Sequence, residues 1–276
     1  MRIRFTKMQG IGNDFVMIDA LTQKISITND DARKLADRHF GVGCDQVLVV
    51  EAPQDPEMDF RYRIFNHDGS EVENCGNGAR CFAVFVRQRG LTSKHTMRVE
   101  TLGGPLTLSV SGDNQVRVDM GVPVFEPAKI PFQADQQQAT YGIHLKKKEF
   151  EISALSMGNP HAVVVVDNVE DFPVHKYGPL LETHRQFPRK VNAGFMQILS
   201  PEEIKLRVFE RGVGETIACG TGACAAVAAG VYRGILANRV LVNLPGGQLD
   251  ISWEGVAKPV IMNGPAKTVF HGYIRL

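Results

Sequence analysis

The stretch FRYRIFNHDGSEVENCGNGA, residues 60 to 79, aligns without a gap on IKLRVFERGVGETIACGTGA, residues 204 to 223. Seven positions agree: Arg63 with Arg207, Phe65 with Phe209, Glu71 with Glu215, Cys75 with Cys219, Gly76 with Gly220, Gly78 with Gly222 and Ala79 with Ala223. The match continues outward. Downstream, Arg89-Gly90 falls on Arg233-Gly234, and Gly103-Gly104 on Gly246-Gly247, with Leu106 on Leu249 and Ser109 on Ser252. Upstream, Gly12-Asn13 matches Gly158-Asn159, each followed by an apolar strand, and Gln46 meets Asn192. Self-similarity of this kind is the mark of a duplicated module, with the small changes of register falling between elements.

The order of elements within each copy predicts an α+β fold of two pseudo-symmetric domains, each a curved, mostly antiparallel, barrel-like sheet around a central helix. In the first copy a strand near 14–19 leads to a helix near 30–39, with Asn29 or Asp30 as cap and Gly41 as stop. The strands QVLVVE and FRYRIFN follow, then a helix from about 78 to 88 and hairpins such as LTLSVSGDNQVRVDM. The second copy repeats this: strand near 161–166, helix near 174–185, strands near 194–199 and 204–209, helix near 222–232, and hairpins to about 262. The helices after the two cysteines, ARCFAVFVRQ and ACAAVAAGVYR, are apolar nearly all round, and such helices are buried. The polar segment QADQQQATYGIHLKKKEFE reads as an exposed loop or edge. The final TVFHGYIRL is a strand without a counterpart in the first copy, and it is expected to cross back to the first domain. The domains are therefore 1–119 plus 265–276, and 120–264.

At 276 residues the chain has length for two cores. With 31 Lys and Arg against 30 Asp and Glu, scattered along the chain, it offers no nucleic-acid or membrane surface, and a small-molecule partner is expected. MRIRFTKMQGIGNDFVMIDA lacks the sustained apolar stretch of a signal peptide, and no run elsewhere could span a bilayer, so a cytoplasmic location is expected. The cysteines are Cys44, Cys75, Cys81, Cys219 and Cys224. Their odd number in this context implies reduced thiols, and their spacings match no zinc motif, so no metal is expected.

Why two thiols sit at equivalent positions before two helices is the functional question. A cysteine there meets unpaired backbone N–H groups and the positive end of a helix dipole, which favour thiolate. The glycines leave the backbone bare, so a ligand carboxylate can approach the N–H groups of Gly76-Asn77 and Gly220-Thr221. Two acid–base groups on opposite faces of one carbon are what inversion of a stereocentre needs. Cys44, Cys81 and Cys224 are read as small buried hydrophobes. Matched polar residues accompany the thiols: Asn13 with Asn159, Gln46 with Asn192, and Asn66 with Glu210. Glu210-Arg211 breaks the symmetry with Asn66-His67, and there the unlike ends of a substrate would be read, Arg211 taking a carboxylate and Glu210 an ammonium. His161 stands where the first copy has Phe15, either as a structural histidine or as one that adjusts thiol protonation. No phosphate-binding loop or nucleophile elbow is present, and nothing requires pyridoxal phosphate, so no cofactor is expected. Other readings of the same residues are a thiol enzyme using one cysteine as nucleophile, a non-catalytic tandem binding module, and a disulfide between the two thiols.

The segments KMQGIGNDFVMID, GVGCDQVLVVE, ENCGNGARC, MGNPHAVV and FERGVGETIACGTGACA, spread over essentially the whole chain, closely resemble those of the diaminopimelate epimerase family. That resemblance implies cofactor-independent interconversion of L,L- and meso-2,6-diaminopimelate, a step toward lysine and peptidoglycan, with Cys75 and Cys219 as a thiolate/thiol pair. It implies that Asn13, Gln46, Asn66, Asn159, Asn192, Glu210 and Arg211 line the substrate, that Gly76-Asn77 and Gly220-Thr221 hold a carboxylate, and that His161 and Glu210 assist catalysis. It further implies a homodimer. Where some relatives carry a dimer-associated tyrosine this chain has Phe270, which keeps the aromatic body and loses the hydroxyl. A neighbouring reading within the same chemistry is a proline or hydroxyproline epimerase, against which Glu210-Arg211 speaks by suiting a second amino-acid end.

Overall fold

The computed structural model describes residues 2–72 and 76–276. Cys75 lies outside the described residues. The chain divides into two compact units, Met1–Asp119 together with Asn263–Leu276, and Met120–Met262.

In the first unit, Arg2–Gly10 and Asn13–Asp19 form an antiparallel hairpin closed by Ile11 and Gly12, whose φ angles are 50° and 92°. Two successive positive φ values give the turn whose twist matches that of the flanking strands. Asn13–Asp19 runs parallel to Gln46–Glu51, which is antiparallel to Phe60–Asn66. Phe60–Asn66 in turn pairs antiparallel with Glu71–Val72 and parallel with Thr96–Glu100. Parallel neighbours require a crossover. The first crossover carries α1 (Asn29–Ala36) and the second α2 (Gly76–Gln88).

The second unit pairs its strands in the same order. Pro160–Val165 is parallel to Asn192–Ser200, which is antiparallel to Glu203–Glu210. That strand pairs antiparallel with Gly214–Thr216 and parallel with Arg239–Leu244. The crossovers carry α3 (Val174–Glu182) and α4 (Gly220–Tyr232). The duplicated α+β architecture read from the sequence is thus reproduced strand by strand.

The helices after the thiols are the inner elements of their sheets. In α2 every residue from Asn77 to Val86 is buried, and in α4 every residue from Gly222 to Gly230. Phe82 of α2 packs its ring on Tyr62 at 4.9 Å and on Phe60 at 6.0 Å. Burying a side chain of this size is worth roughly 1.5–3 kcal/mol, so the seat of each helix, and of the loop that opens it, is set by the core. The C-terminal strand Lys267–Arg275 pairs antiparallel with Arg2–Gly10, and Ala266 N–H donates to the Asn114 carbonyl. The last stretch of chain therefore touches both ends of the first unit's strand series, giving it a barrel-like closure.

Three sequence expectations are corrected. The cap of α1 is Thr28, not Asn29 or Asp30: its hydroxyl accepts from the Asp31 N–H while the Asp31 carboxylate accepts from the Thr28 N–H. This reciprocal box satisfies two end groups at once, and a cap at Asn29 or Asp30 would forgo it. The helices also differ at their ends: α1 stops at Ala36 and α3 at Glu182, while α2 and α4 begin two residues early, at Gly76 and Gly220. The polar segment around 133–151 is in part a hairpin, Tyr141–Leu145 against Lys148–Ser156, turning at Lys146 with φ of 58°. Its alternation of buried Tyr141, Ile143 and Leu145 is short enough to be hidden among polar neighbours.

Candidate active site

In the first unit the site residues fall into two hydrogen-bonded pairs. Gln46 and Asn66 stand opposite each other on antiparallel strands, and Gln46 Nε2 donates to Asn66 Oδ1 at 3.0 Å. Asn66 Nδ2 reaches Ser70 Oγ at 3.3 Å. Asn77, buried in the first turn of α2, donates to Asn13 Oδ1 at 3.3 Å, and Asn13 Nδ2 donates to Asp45 Oδ2 at 2.8 Å. Behind Asn13 lies an ionic network absent from the sequence reading. Asp14 takes Lys7 Nζ at 2.5 Å and Arg38 Nη2 at 2.8 Å, and the same guanidinium reaches Asp45 at 2.8 Å. Burial pushes the Asp14 carboxyl up, but the hydrogen bonds from Arg38 and Lys7 outweigh it and hold the group well below the usual carboxylate range. The network pins the start of the strand that presents Asn13. Cys44, next to it, is 1% exposed, and burial pushes its thiol up to about 12.

In the second unit the chemistry centres on Cys219, the N-cap of α4, 3% exposed. Gly222 is glycine for a packing reason: a Cβ there would lie 3.1 Å from Cys219 Sγ and 2.9 Å from Val208 Cγ2. Cys219 Sγ stands 3.7 Å from Thr221 Oγ1, which is 3.4 Å from Asn159 Nδ2, and Asn159 Oδ1 is 2.9 Å from His161 Nε2. A continuous polar chain thus joins the sulfur to the imidazole. On the other side stands the Glu210 carboxylate, whose negative charge raises the Cys219 thiol and whose Oε1 accepts from Thr216 Oγ1 at 2.5 Å. Asn192, 3% exposed, works as a brace: its Nδ2 donates to the Pro160 carbonyl and its Oδ1 accepts from Arg211 N–H, both at 2.9 Å. The next N–H, of Gly212, donates to the buried carboxylate of Glu182 at 2.8 Å. The backbone carrying Arg211 is therefore held twice, while its guanidinium donates to the Arg189 carbonyl at 3.3 Å.

These surroundings set the protonation of Cys219 and His161. Burial pushes the Cys219 thiol well above its ordinary value, and the negative charge of Glu210 adds to this against the opposing donors Gly222 N–H and Thr221 hydroxyl. A thiol favoured toward thiolate by its helix end, as the sequence implies, is here held protonated. The helix dipole acts on an exposed or half-exposed group with full effect only when burial and a carboxylate do not compete. Burial, and then the Arg211 charge, lower His161 to about 3, so its ring is neutral. With Asn159 Oδ1 as acceptor the ring proton sits on Nε2, leaving Nδ1 unprotonated.

The structure brings Asn159, His161, Glu210, Thr221 and Cys219 into one connected cluster, with Asn192 and Arg211 attached through the backbone. It joins Asn13 to Asn77 and Gln46 to Asn66. Thr216 and Glu182 were missed from sequence. For Thr216 a signal exists, since the repeat aligns it with the apolar Val72. Glu182 offers none, its buried role depending on a loop that follows some thirty residues later. Cys81 and Cys224 are fully buried in α2 and α4. Among the described residues no cluster of three or more His, Cys, Asp or Glu side chains forms a metal site, and no helix is long and apolar enough to cross a membrane.

The chain is matched by the family model described as diaminopimelate epimerase, over residues 5–126 and 153–269. It is 67% identical over 276 residues to a diaminopimelate epimerase of Teredinibacter turnerae, covering 100% of both chains. It is 59% identical to one of Thioalkalivibrio sulfidiphilus, covering 99% of both. Among solved structures it is similar in fold to a hydroxyproline epimerase of Agrobacterium vitis, with TM-score 0.72, 16% identity, and coverage of 99% of this chain and 92% of that one. A Bacillus anthracis protein of the PhzF phenazine-biosynthesis family matches with TM-score 0.69 at 17% identity, covering 100% of each.

Proposed function

This chain belongs to the diaminopimelate epimerase family, and we infer that it interconverts L,L- and meso-2,6-diaminopimelate, without a cofactor, on the route to lysine and peptidoglycan. The observation that carries the mechanism is the environment of Cys219: a buried, protonated thiol at the head of a helix, tied to Glu210 on one side and through Thr221 and Asn159 to His161 on the other. In the direction where Cys219 acts as acid, Cys75 as thiolate removes the α-proton from one face, and Cys219 delivers its own to the other, becoming thiolate. The reverse reaction exchanges the roles, so protons and charge balance over each turnover. The new thiolate at Cys219 is met by the Gly222 N–H and the Thr221 hydroxyl, the two donors already beside it.

An α-proton next to an ionised carboxylate is weakly acidic, so most of the rate must come from groups arranged before the reaction. The N–H groups of Gly76-Asn77 and Gly220-Thr221, at the starts of α2 and α4, would take the carboxylate of the reacting centre and the charge that develops on it. Arg211 would clamp a substrate carboxylate and Glu210 an ammonium, with Asn13, Gln46, Asn66, Asn159 and Asn192 completing the lining. The two units act as the epimerase domains 1–119 plus 265–276 and 120–264, each supplying one thiol.

The protein works in the cytoplasm as a homodimer in this reading, and the exposed Val269, Phe270 and Tyr273 of the C-terminal strand support a second copy pairing there. Phe270 rests edge-on against Phe5, with ring centroids 5.9 Å apart. The test is direct. Purified protein incubated with L,L-diaminopimelate in heavy water, with no added cofactor, should yield the meso form carrying deuterium at one α-carbon. Cys75→Ser and Cys219→Ser should each lose most epimerisation; full activity in either single variant would remove the two-thiol mechanism.

A further inference from the structure

The two units share a register that makes one difference between them informative. In the first, Val72 stands opposite Ile64, two residues before Asn66. In the second, Thr216 stands opposite Val208, two residues before Glu210. A hydroxyl replaces a methyl at the position where, across the same strand pair, a carboxylate replaces an amide. That hydroxyl is spent on the carboxylate, Thr216 Oγ1 donating to Glu210 Oε1 at 2.5 Å. The neutral Asn66 makes no use of residue 72 and is satisfied by Gln46 and Ser70 instead.

Glu210 is a flexible side chain, half-buried at the end of its strand, whose carboxylate lies near enough to the Cys219 thiol for its charge to raise that thiol. One carboxylate oxygen anchored by a donor leaves the other with a defined direction. Thr216 is well suited to the task. Its β-branched side chain has restricted χ1 freedom on a strand, and the strand is tied to Glu203–Glu210 by the ladder that pairs Glu210 with Gly214.

We propose that Thr216 is a positioning residue of this site, its hydroxyl fixing the Glu210 carboxylate against the Cys219 thiol. The inference rests on the epimerase reading above. Hydrogen bonds to a charged group are the strong class, and loss of one translates into about a ten- to hundredfold change.

The test writes the first unit's residue into the second. Thr216→Val, nearly isosteric, should lower kcat for L,L-diaminopimelate at least tenfold and by more than it raises KM, because the Arg211 clamp and the helix N–H groups are untouched. Thr216→Ser, which restores the hydroxyl without the methyl, should return kcat to within threefold of wild type. The far-ultraviolet circular dichroism of both should match wild type. Unchanged kcat in Thr216→Val, or a Thr216→Ser as impaired as Thr216→Val, would overturn the assignment. Should Thr216→Val fail to fold, Thr216→Ser and Thr216→Ala decide it: the alanine variant must be the slower of the two by tenfold, and equal rates refute the role. A wild-type protein that incorporates no α-deuterium would instead remove the epimerase reading itself, so the two failures are told apart.

Discussion

Gly78, in the first turn of α2, tests whether the core seats the helix whose first turn carries Gly76 and Asn77. A Cβ at this position would meet Tyr62 Oη at 2.3 Å, Leu48 Cδ2 at 3.2 Å and Phe15 Cε1 at 3.4 Å. In an open helix Gly→Ala would stabilise by roughly 1 kcal/mol, since alanine loses less backbone entropy. Here the Tyr62 oxygen lies about an ångström inside contact distance. It cannot swing clear, because Tyr62 is 1% exposed and its ring is packed on Phe82 at 4.9 Å. Overpacking of this kind costs about 1–3 kcal/mol, and a fully enclosed ring takes the upper end, so Gly78→Ala should destabilise by about 2 kcal/mol net. Removing the oxygen reverses the sign. In a Tyr62→Phe background the same substitution should be neutral or stabilising by up to about 1 kcal/mol, a coupling of roughly 2–3 kcal/mol. Urea unfolding of the four variants, followed by circular dichroism, measures the cycle. Because Gly76 and Asn77 move with the helix, kcat should fall in Gly78→Ala and recover in the double variant. A coupling below about 0.5 kcal/mol would refute the clash and with it the claim that Tyr62 sets the seat of α2.

Asn192→Ala should lose hydrogen bonds to both the Pro160 carbonyl and the Arg211 N–H, costing about 2–4 kcal/mol in stability and raising KM for diaminopimelate more than it lowers kcat; a raised kcat defect with unchanged KM would count against the brace. His161 should make the protein acid-sensitive. Its proton affinity is lowered from 6.5 to about 3 in the folded chain, so its contribution is present above pH 6.5 and lost as pH falls from there toward 3. The slope is at most about 1.4 kcal/mol per pH unit, and His161→Gln should flatten the stability profile in that window, which equilibrium unfolding at several pH values would measure.

The relation between sequence and structure differs from element to element. The repeat was legible because identical residues at a constant spacing keep their places in a sheet register: Glu71 and Glu215 end up opposite Phe65 and Phe209 in both units. Burial of the two apolar helices was legible from composition alone, since a helix without a polar face has nowhere else to go. Thr28 was misread because any of three neighbouring polar residues can cap a helix, and the choice is made by which reciprocal partner falls at the right place. The hairpin at Tyr141–Leu145 was misread because three buried residues in a polar stretch give too few periods to count. In the site, residue types and their pairing across the repeat were readable, whereas Thr216, Glu182 and the network of Lys7, Asp14, Arg38 and Asp45 act through contacts made across strands and loops.

By itself, then, the amino-acid order determined that one module occurs twice, that each copy ends a strand pair with a cysteine and glycines before a buried helix, and which residues correspond between copies. Tertiary structure alone decided which of those groups touch and what charge they carry. Cys219 shows why: its helix start argues for a thiolate, but burial and the Glu210 carboxylate, brought beside it by strand pairing, keep the proton on the sulfur. Spacing along a chain records equivalence, and proton affinity depends on distances through space.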